Sequence, residues 1–161
     1  CYISPHVVKE IKDTPLDTLY SKRHYTSVDT HYYSYIAEGM RGAVTGTAYG
    51  GTCRGAALPD IEVCGKTGTS ENPHDKDHSS AASDVYKRQG KDHSIFMGFA
   101  PYQKPKVAIA VFVENAGFGV TYAVPIGKLM LEKYLKGEIS EANKATEEYI
   151  MNAVILPNNA L

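Results

Sequence analysis

Two hydroxyls, one ammonium and one bare backbone position stand together at Lys66-Thr67-Gly68-Thr69, the end of the apolar approach Ile61-Glu62-Val63-Cys64-Gly65. Successive side chains of an extended strand point to opposite faces. Ile61, Val63, Gly65, Thr67 and Thr69 therefore share one face, and Glu62, Cys64, Lys66 and Gly68 the other. Two hydroxyls two residues apart can both donate to one carboxylate, and the lysine between them adds a fixed positive charge that an anionic ligand feels at short range. Gly68 has no Cβ, so a ligand backbone can approach there and pair with the strand edge.

Other readings of the stretch compete. Gly65-Lys66-Thr67 can close a phosphate-binding loop, but that loop needs a glycine five residues before Gly65 and the position holds Asp60. No dinucleotide-type glycine pattern follows a strand elsewhere. A plain structural strand stays open on these residues alone, because so short a motif recurs by chance.

The elements that must hold this strand can be read in chain order. Residues 1–26 are expected to be extended, broken by Pro5 and Pro15. A helix is predicted from Asp29, its cap, to Gly46, its stop; Val28, Tyr32, Ile36, Met40 and Val44 would stack on one face. A glycine-rich lead follows to Asp60. Ile95–Ala100 and Val107–Val113 read as buried strands joined by a turn, and with 61–69 they make an antiparallel sheet with the site strand at or near an edge. Glu114–Gly119 is a glycine-rich turn. A helix capped by Thr121, with Pro125 in its first turn and Gly137 at its end, should cover the sheet through Ile126, Leu129, Met130 and Tyr134. A weaker, solvated tail helix is predicted over 140–155 within a tail of 138–161. The fold class is α+β, an antiparallel sheet flanked by helices.

Composition sets further bounds. A chain of 161 residues with 43% hydrophobic and 22% charged residues suits one globular domain or a piece of one. A formal net charge of -1 gives no electrostatic case for nucleic acid. No apolar run reaches membrane-spanning length and no signal peptide opens the chain, so the chain as written is expected to be soluble. Cys1, Cys53 and Cys64 form no zinc spacing; buried or incidental thiols are expected, with a Cys53–Cys64 pair as the alternative in an oxidising compartment. Five of the twelve tyrosines fall between Tyr20 and Tyr35, which reads as a half-buried helix face or, alternatively, a partner surface. His74 and His78, with Asp75 and Asp77, have a spacing that can bind metal, but an Asn-Pro turn precedes them and no helix signal supports them. No metal and no cofactor is expected.

Lys66-Thr67-Gly68 is the third motif of penicillin-binding proteins and serine β-lactamases. With Tyr2–Lys9, Glu38-Gly39-Met40-Arg41, Gly98-Phe99-Ala100-Pro101 and Glu114–Gly119 in order around it, the chain resembles the later, C-terminal part of the transpeptidase domain of a class B penicillin-binding protein of the elongation type. The resemblance implies a partial penicillin-binding-protein (β-lactamase-like) fold across 1–161, with the helix before the glycine-rich lead lying beneath the active-site groove. It implies acyl transfer between peptidoglycan stem peptides through a serine ester. Lys66 would be catalytic, polarising the site. Thr67 and Thr69 would hold the terminal carboxylate of a D-Ala-D-Ala stem peptide or a β-lactam beside Gly68, and the Thr69 N–H would give half of an oxyanion hole. Implied partners are those stem peptides, β-lactams and proteins of a cell-wall elongation complex. The parent would sit on the periplasmic face of a bacterial inner membrane, tethered by an N-terminal anchor missing here, since the chain opens at Cys1 in mid-pattern.

Two departures stand out. No serine is followed three residues later by lysine, so the S-x-x-K nucleophile is absent, and Ser70-Glu71-Asn72 matches S-x-N by letter but lies in the wrong place. The chain alone is therefore expected to be inactive. Lys76-Asp77-His78-Ser79 also returns as Lys91-Asp92-His93-Ser94. Removing residues 75–89 restores the text the resemblance leads one to expect, so that segment is expected to be a foreign insertion from sequence assembly. A serine β-lactamase or β-lactam-sensor domain, and a non-catalytic cell-wall binding module, remain the alternative functions.

Overall fold

A computed structural model describes residues 1–8, 10–15, 17–46, 50–71 and 91–155. The expected insertion, the His74 and His78 pair and the Asn-Pro turn lie outside the described residues. The chain forms two compact units, Cys1–Tyr35 and Ile36–Leu161.

The first unit is held by local contacts. Tyr2 and His24 exchange backbone hydrogen bonds of 2.9 and 2.8 Å and stack their rings 5.1 Å apart. Asp17 caps a single helical turn, α1 (Thr18–Ser21), by accepting the Leu19 N–H at 2.8 Å. This turn interrupts the extended opening expected from sequence. Asp29 accepts the His31 N–H at 3.0 Å and so turns the chain ahead of α2 (Tyr32–Thr45), which starts three residues later than its signal suggested. That backbone hydrogen bond holds the Asp29 carboxyl below its ordinary range. Of the five tyrosines expected on a half-buried face, Tyr20 is half-buried, but Tyr25, Tyr32, Tyr33 and Tyr35 are exposed, as are Val28 and Ile36 of the predicted stripe. Helical spacing shows that side chains share a face; it does not show that anything packs against that face.

The second unit holds the core. Only Val44 of the α2 stripe is buried. Gly46, at φ 70, ends the helix as predicted, its N–H bonded to the Gly42 carbonyl. A 3-10 turn (Arg54–Ala56) leads to β1 (Cys64–Ser70), which pairs antiparallel with β2 (His93–Ala100), and β2 pairs antiparallel with β3 (Val107–Val113). Among the described residues the order is β1-β2-β3, with the site strand at the edge as expected. The register sets Thr67 opposite Phe96 and Thr69 opposite Ser94.

Helix α3 (Ala123–Lys136) covers the sheet face that carries Phe96. The Phe96 ring is fully buried in a socket of three glycines, one each from β1, β2 and α3. A Cβ added at Gly65, Gly98 or Gly127 would come within 2.5, 2.9 and 2.4 Å of it. This corrects the predicted face of α3: Met130 and Tyr134 are exposed, while Val124, Gly127 and Leu131 turn inward. The close approach is made by a residue with no side chain, which a search for large apolar residues passes over. Gly137, at φ 84, closes α3 as predicted. After a 3-10 turn (Glu141–Asn143), the tail helix α4 (Lys144–Met151) is shorter than expected.

Among the described residues, Glu132 of α3 is the fully buried acid. Asn143 donates to its Oε2 at 2.7 Å, and Lys136 Nζ lies 3.7 Å from its Oε1. Burial acts to raise this carboxyl, but hydrogen bonds from Asn143 and Ser140, with the Lys136 charge, outweigh it and hold the group below its ordinary range.

Candidate active site

The site strand is anchored behind its start by Arg41. Its guanidinium donates to both oxygens of Glu38 at 3.1 and 2.8 Å and to Glu62 at 3.0 Å. The same group lies 5.3 Å over the Tyr102 ring, and the Tyr102 N–H bonds the Glu62 carbonyl at 3.0 Å. A planar fork suits two carboxylates better than an ammonium would. The pairing raises the Arg41 pKa, chiefly through Glu38, and lowers that of Glu38. Immediately after this clamp Val63 and Cys64 are buried, and burial pushes the Cys64 thiol up to about 11. Cys53 and Cys64 are both free, buried thiols, and no disulfide joins them.

Beyond Gly65 the strand emerges. Lys66 is exposed, and its Nζ donates to the Thr67 carbonyl at 2.7 Å, so the ammonium lies back along its own strand. Thr67 is half-buried and donates from Oγ1 to Thr52 Oγ1 at 3.1 Å. Thr69 is exposed at the end of the same face. Gly68 has a second reason to be glycine, since a Cβ there would press to 3.2 Å on Ile95 of β2. The four residues singled out by sequence are thus contiguous on an edge strand, Lys66 on one face and both threonines on the other.

Three neighbours of the site were missed by sequence reasoning. Thr52 reaches Thr67 because Cys53 N–H bonds the Ala43 carbonyl at 2.9 Å and ties the turn to α2. At Gly51 a Cβ would stand 2.1 Å from that carbonyl. Gly119 lies against β1, where a Cβ would come within 3.0 Å of the Gly68 carbonyl and 3.2 Å of Thr67 Cβ. Ser94, fully buried, serves α3 in place of the predicted cap Thr121: the residue ahead of the helix is Tyr122, which makes no side-chain cap, and the Ala123 N–H bonds Ser94 Oγ at 3.2 Å. Among the described residues no group of acidic, histidine or cysteine side chains could hold a metal ion.

The family described as penicillin binding protein transpeptidase domain matches residues 1–132, which takes in the whole of this strand and the helix behind it. The chain belongs to that family. Among its relatives, peptidoglycan D,D-transpeptidase MrdA of Haemophilus influenzae is 27% identical over 143 residues, 88% of this chain and 22% of the relative. The protein of the same name from Acinetobacter baumannii is 36% identical over 124 residues, 73% of this chain and 18% of the relative. A solved structure, penicillin-binding protein A from M. tuberculosis as a ceftriaxone acyl-enzyme complex, aligns with a TM-score of 0.52 at 31% identity over 67% of this chain and 22% of that one. The family and the partial penicillin-binding-protein fold are those the motifs implied. The chain spans about a fifth of the length of these curated relatives. No helix among the described residues is long and apolar enough to cross a membrane.

Proposed function

We propose that this chain is the K-T-G-bearing part of a peptidoglycan D,D-transpeptidase that cross-links stem peptides by serine acyl transfer and is acylated by β-lactams. The observation that carries the reading is the edge strand β1, on which Thr67 and Thr69 share a face beside a lysine at the rim. Thr67, turning its O–H from Thr52 to the ligand, and Thr69 hold the carboxylate of a D-Ala-D-Ala terminus or a β-lactam, and the Thr69 N–H faces the oxygen that gains charge as the carbonyl is attacked. Gly68 keeps the backbone approachable on the ligand side. Lys66 exchanges its bond to the Thr67 carbonyl for the S-x-N serine of the longer protein and supports proton transfer there. Nucleophile and S-x-N both come from sequence outside these residues, so the chain by itself does not turn over. The longer protein acts at the periplasmic face of the inner membrane, with proteins of the elongation complex as partners.

A fluorescent penicillin tests this reading. The 161-residue chain is expected to take no covalent label, while the full-length gene product is labelled at a serine followed three residues later by lysine. In that product, Thr67→Val is expected to slow labelling roughly 10- to 100-fold through loss of a charge-assisted hydrogen bond. A labelled band from the short chain, or labelling indifferent to Thr67→Val, would overturn the assignment.

A further inference from the structure

Asp92, just ahead of β2, and the first two residues of β2 grip the turn that follows β3 at successive points. The Asp92 carbonyl accepts the Gly117 N–H at 2.7 Å, and His93 Nδ1 accepts the Asn115 N–H at 3.0 Å. Ser94 Oγ donates to the Phe118 carbonyl at 3.0 Å and accepts the Ala123 N–H at 3.2 Å. The turn needs such restraint, because Asn115 and Gly117 hold φ of 54 and 75. Of these three, Ser94 alone reaches the half that runs from Phe118 into α3, where the Thr121 N–H also bonds the Phe118 carbonyl at 3.0 Å and the Val124 N–H the Gly119 carbonyl at 2.9 Å. It does so fully buried, with both of its hydrogen-bonding roles used, so no water can replace it cheaply.

That half of the turn ends on the site strand. Gly119 packs on Thr67 and Gly68 so closely that a methyl group there would stand 2.5 Å from the Ile95 carbonyl and 3.2 Å from Thr67 Cβ. Thr67 also donates a hydrogen bond from its hydroxyl to Thr52 Oγ1. Thr67 is branched at Cβ, so one torsion decides where its hydroxyl points, and a strand by itself leaves more than one choice open. The geometry points to Ser94 as a positioning residue: by pinning Phe118 and Ala123 it seats Gly119 against Thr67 and fixes the threonine in the rotamer that addresses Thr52 and the site. What Thr67 grips rests on the function proposed above; that its torsion is set by Ser94 does not.

Nuclear magnetic resonance of the 161-residue chain, with no ligand, tests this directly. Three-bond couplings to Thr67 Cγ2 report its torsion, and amide exchange reports the turn. In Ser94→Ala, exchange at Ala123 is expected to quicken roughly tenfold while Met97 and Ile109 in the sheet keep their rates, as local opening requires. The Thr67 couplings move from single-rotamer values to averaged ones. Gly119→Ala, which lifts the turn off β1 with Ser94 in place, is expected to give the same Thr67 averaging. Single-rotamer couplings in either folded variant would overturn the inference, and so would exchange that quickens uniformly across the sheet, which marks Ser94 as ordinary core. Both readouts are independent of penicillin labelling, so failure of the functional reading would leave them intact.

Discussion

Replacing Gly127 by alanine sets two effects of known size against each other. In the interior of a helix, alanine is favoured over glycine by about 0.8–1.0 kcal/mol. Gly127 is the fifth residue of the 14-residue α3, so propensity alone predicts a more stable protein. The structure predicts the reverse. The new Cβ would lie 2.4 and 2.6 Å from two carbons of the Phe96 ring. That ring cannot retreat, because it already fills the space over Gly65 and Gly98. Forcing one extra carbon into such a core costs about 1–3 kcal/mol. The net is a loss of about 1 kcal/mol, or up to about 2 where the ring is pushed off its rotamer. With a urea slope of about 1–3 kcal/mol per molar, the midpoint should fall by roughly 0.5 M. Phe96→Leu together with Gly127→Ala should be less damaging than the sum of the two single changes, by about 1 kcal/mol of coupling. A urea midpoint that rises in Gly127→Ala would refute the reasoning, because the clash would then be absent.

Two further outcomes follow from the buried groups. Glu132 has its pKa lowered on folding, so its charged form contributes stability that is present above the unfolded value and is lost as pH falls through the lower folded value. Glu132→Gln should therefore lower the melting temperature at neutral pH, by about 1 kcal/mol in stability, and flatten its decline on acidification below about pH 4.5; an unchanged acid limb would show that the carboxylate contributes nothing. Cys53 and Cys64 are buried and the Cys64 thiol is pushed up to about 11, whereas Cys1 is exposed. At pH 8, iodoacetamide should modify one thiol per folded chain and three in denaturant; prompt labelling of Cys64 in the folded chain would contradict its burial.

The parts legible in the sequence were those written in short-range pattern. The apolar runs on either side of Pro101-Tyr102-Gln103-Lys104-Pro105 gave β2 and β3, and Pro125 and Gly137 bracketed α3, because strand and helix limits depend on neighbours a few residues away. Lys66–Thr69 could be singled out as a candidate site because its residue types stand in consecutive positions. What escaped was long-range and small. The Thr52–Thr67 contact joins residues 15 apart, and Ser94 reaches Ala123 across 29. Neither distance leaves a periodic trace. The Phe96 socket is defined by side chains that are absent, and hydrophobic pattern has no symbol for a useful absence. The exposed stripe on α2 shows the converse: the spacing of Tyr32 and Ile36 fixed their common face but carried no information about its cover, and Val28, counted in the same pattern, lies ahead of the helix.

The socket around Phe96 also says what would have to travel if this strand were transplanted. Gly65 sits one residue before Lys66, and its bare backbone is what lets β1 lie close on the ring; Gly98 and Gly127 grant the same closeness from β2 and α3. The smallest portable unit of the site is therefore not the tetrapeptide Lys66–Thr69 but a discontinuous set, one ring and three glycines drawn from three elements. A graft of the motif without that set would carry the chemistry and lose its aim, since the threonine hydroxyls would be borne by a strand whose distance from the layer behind it was no longer fixed.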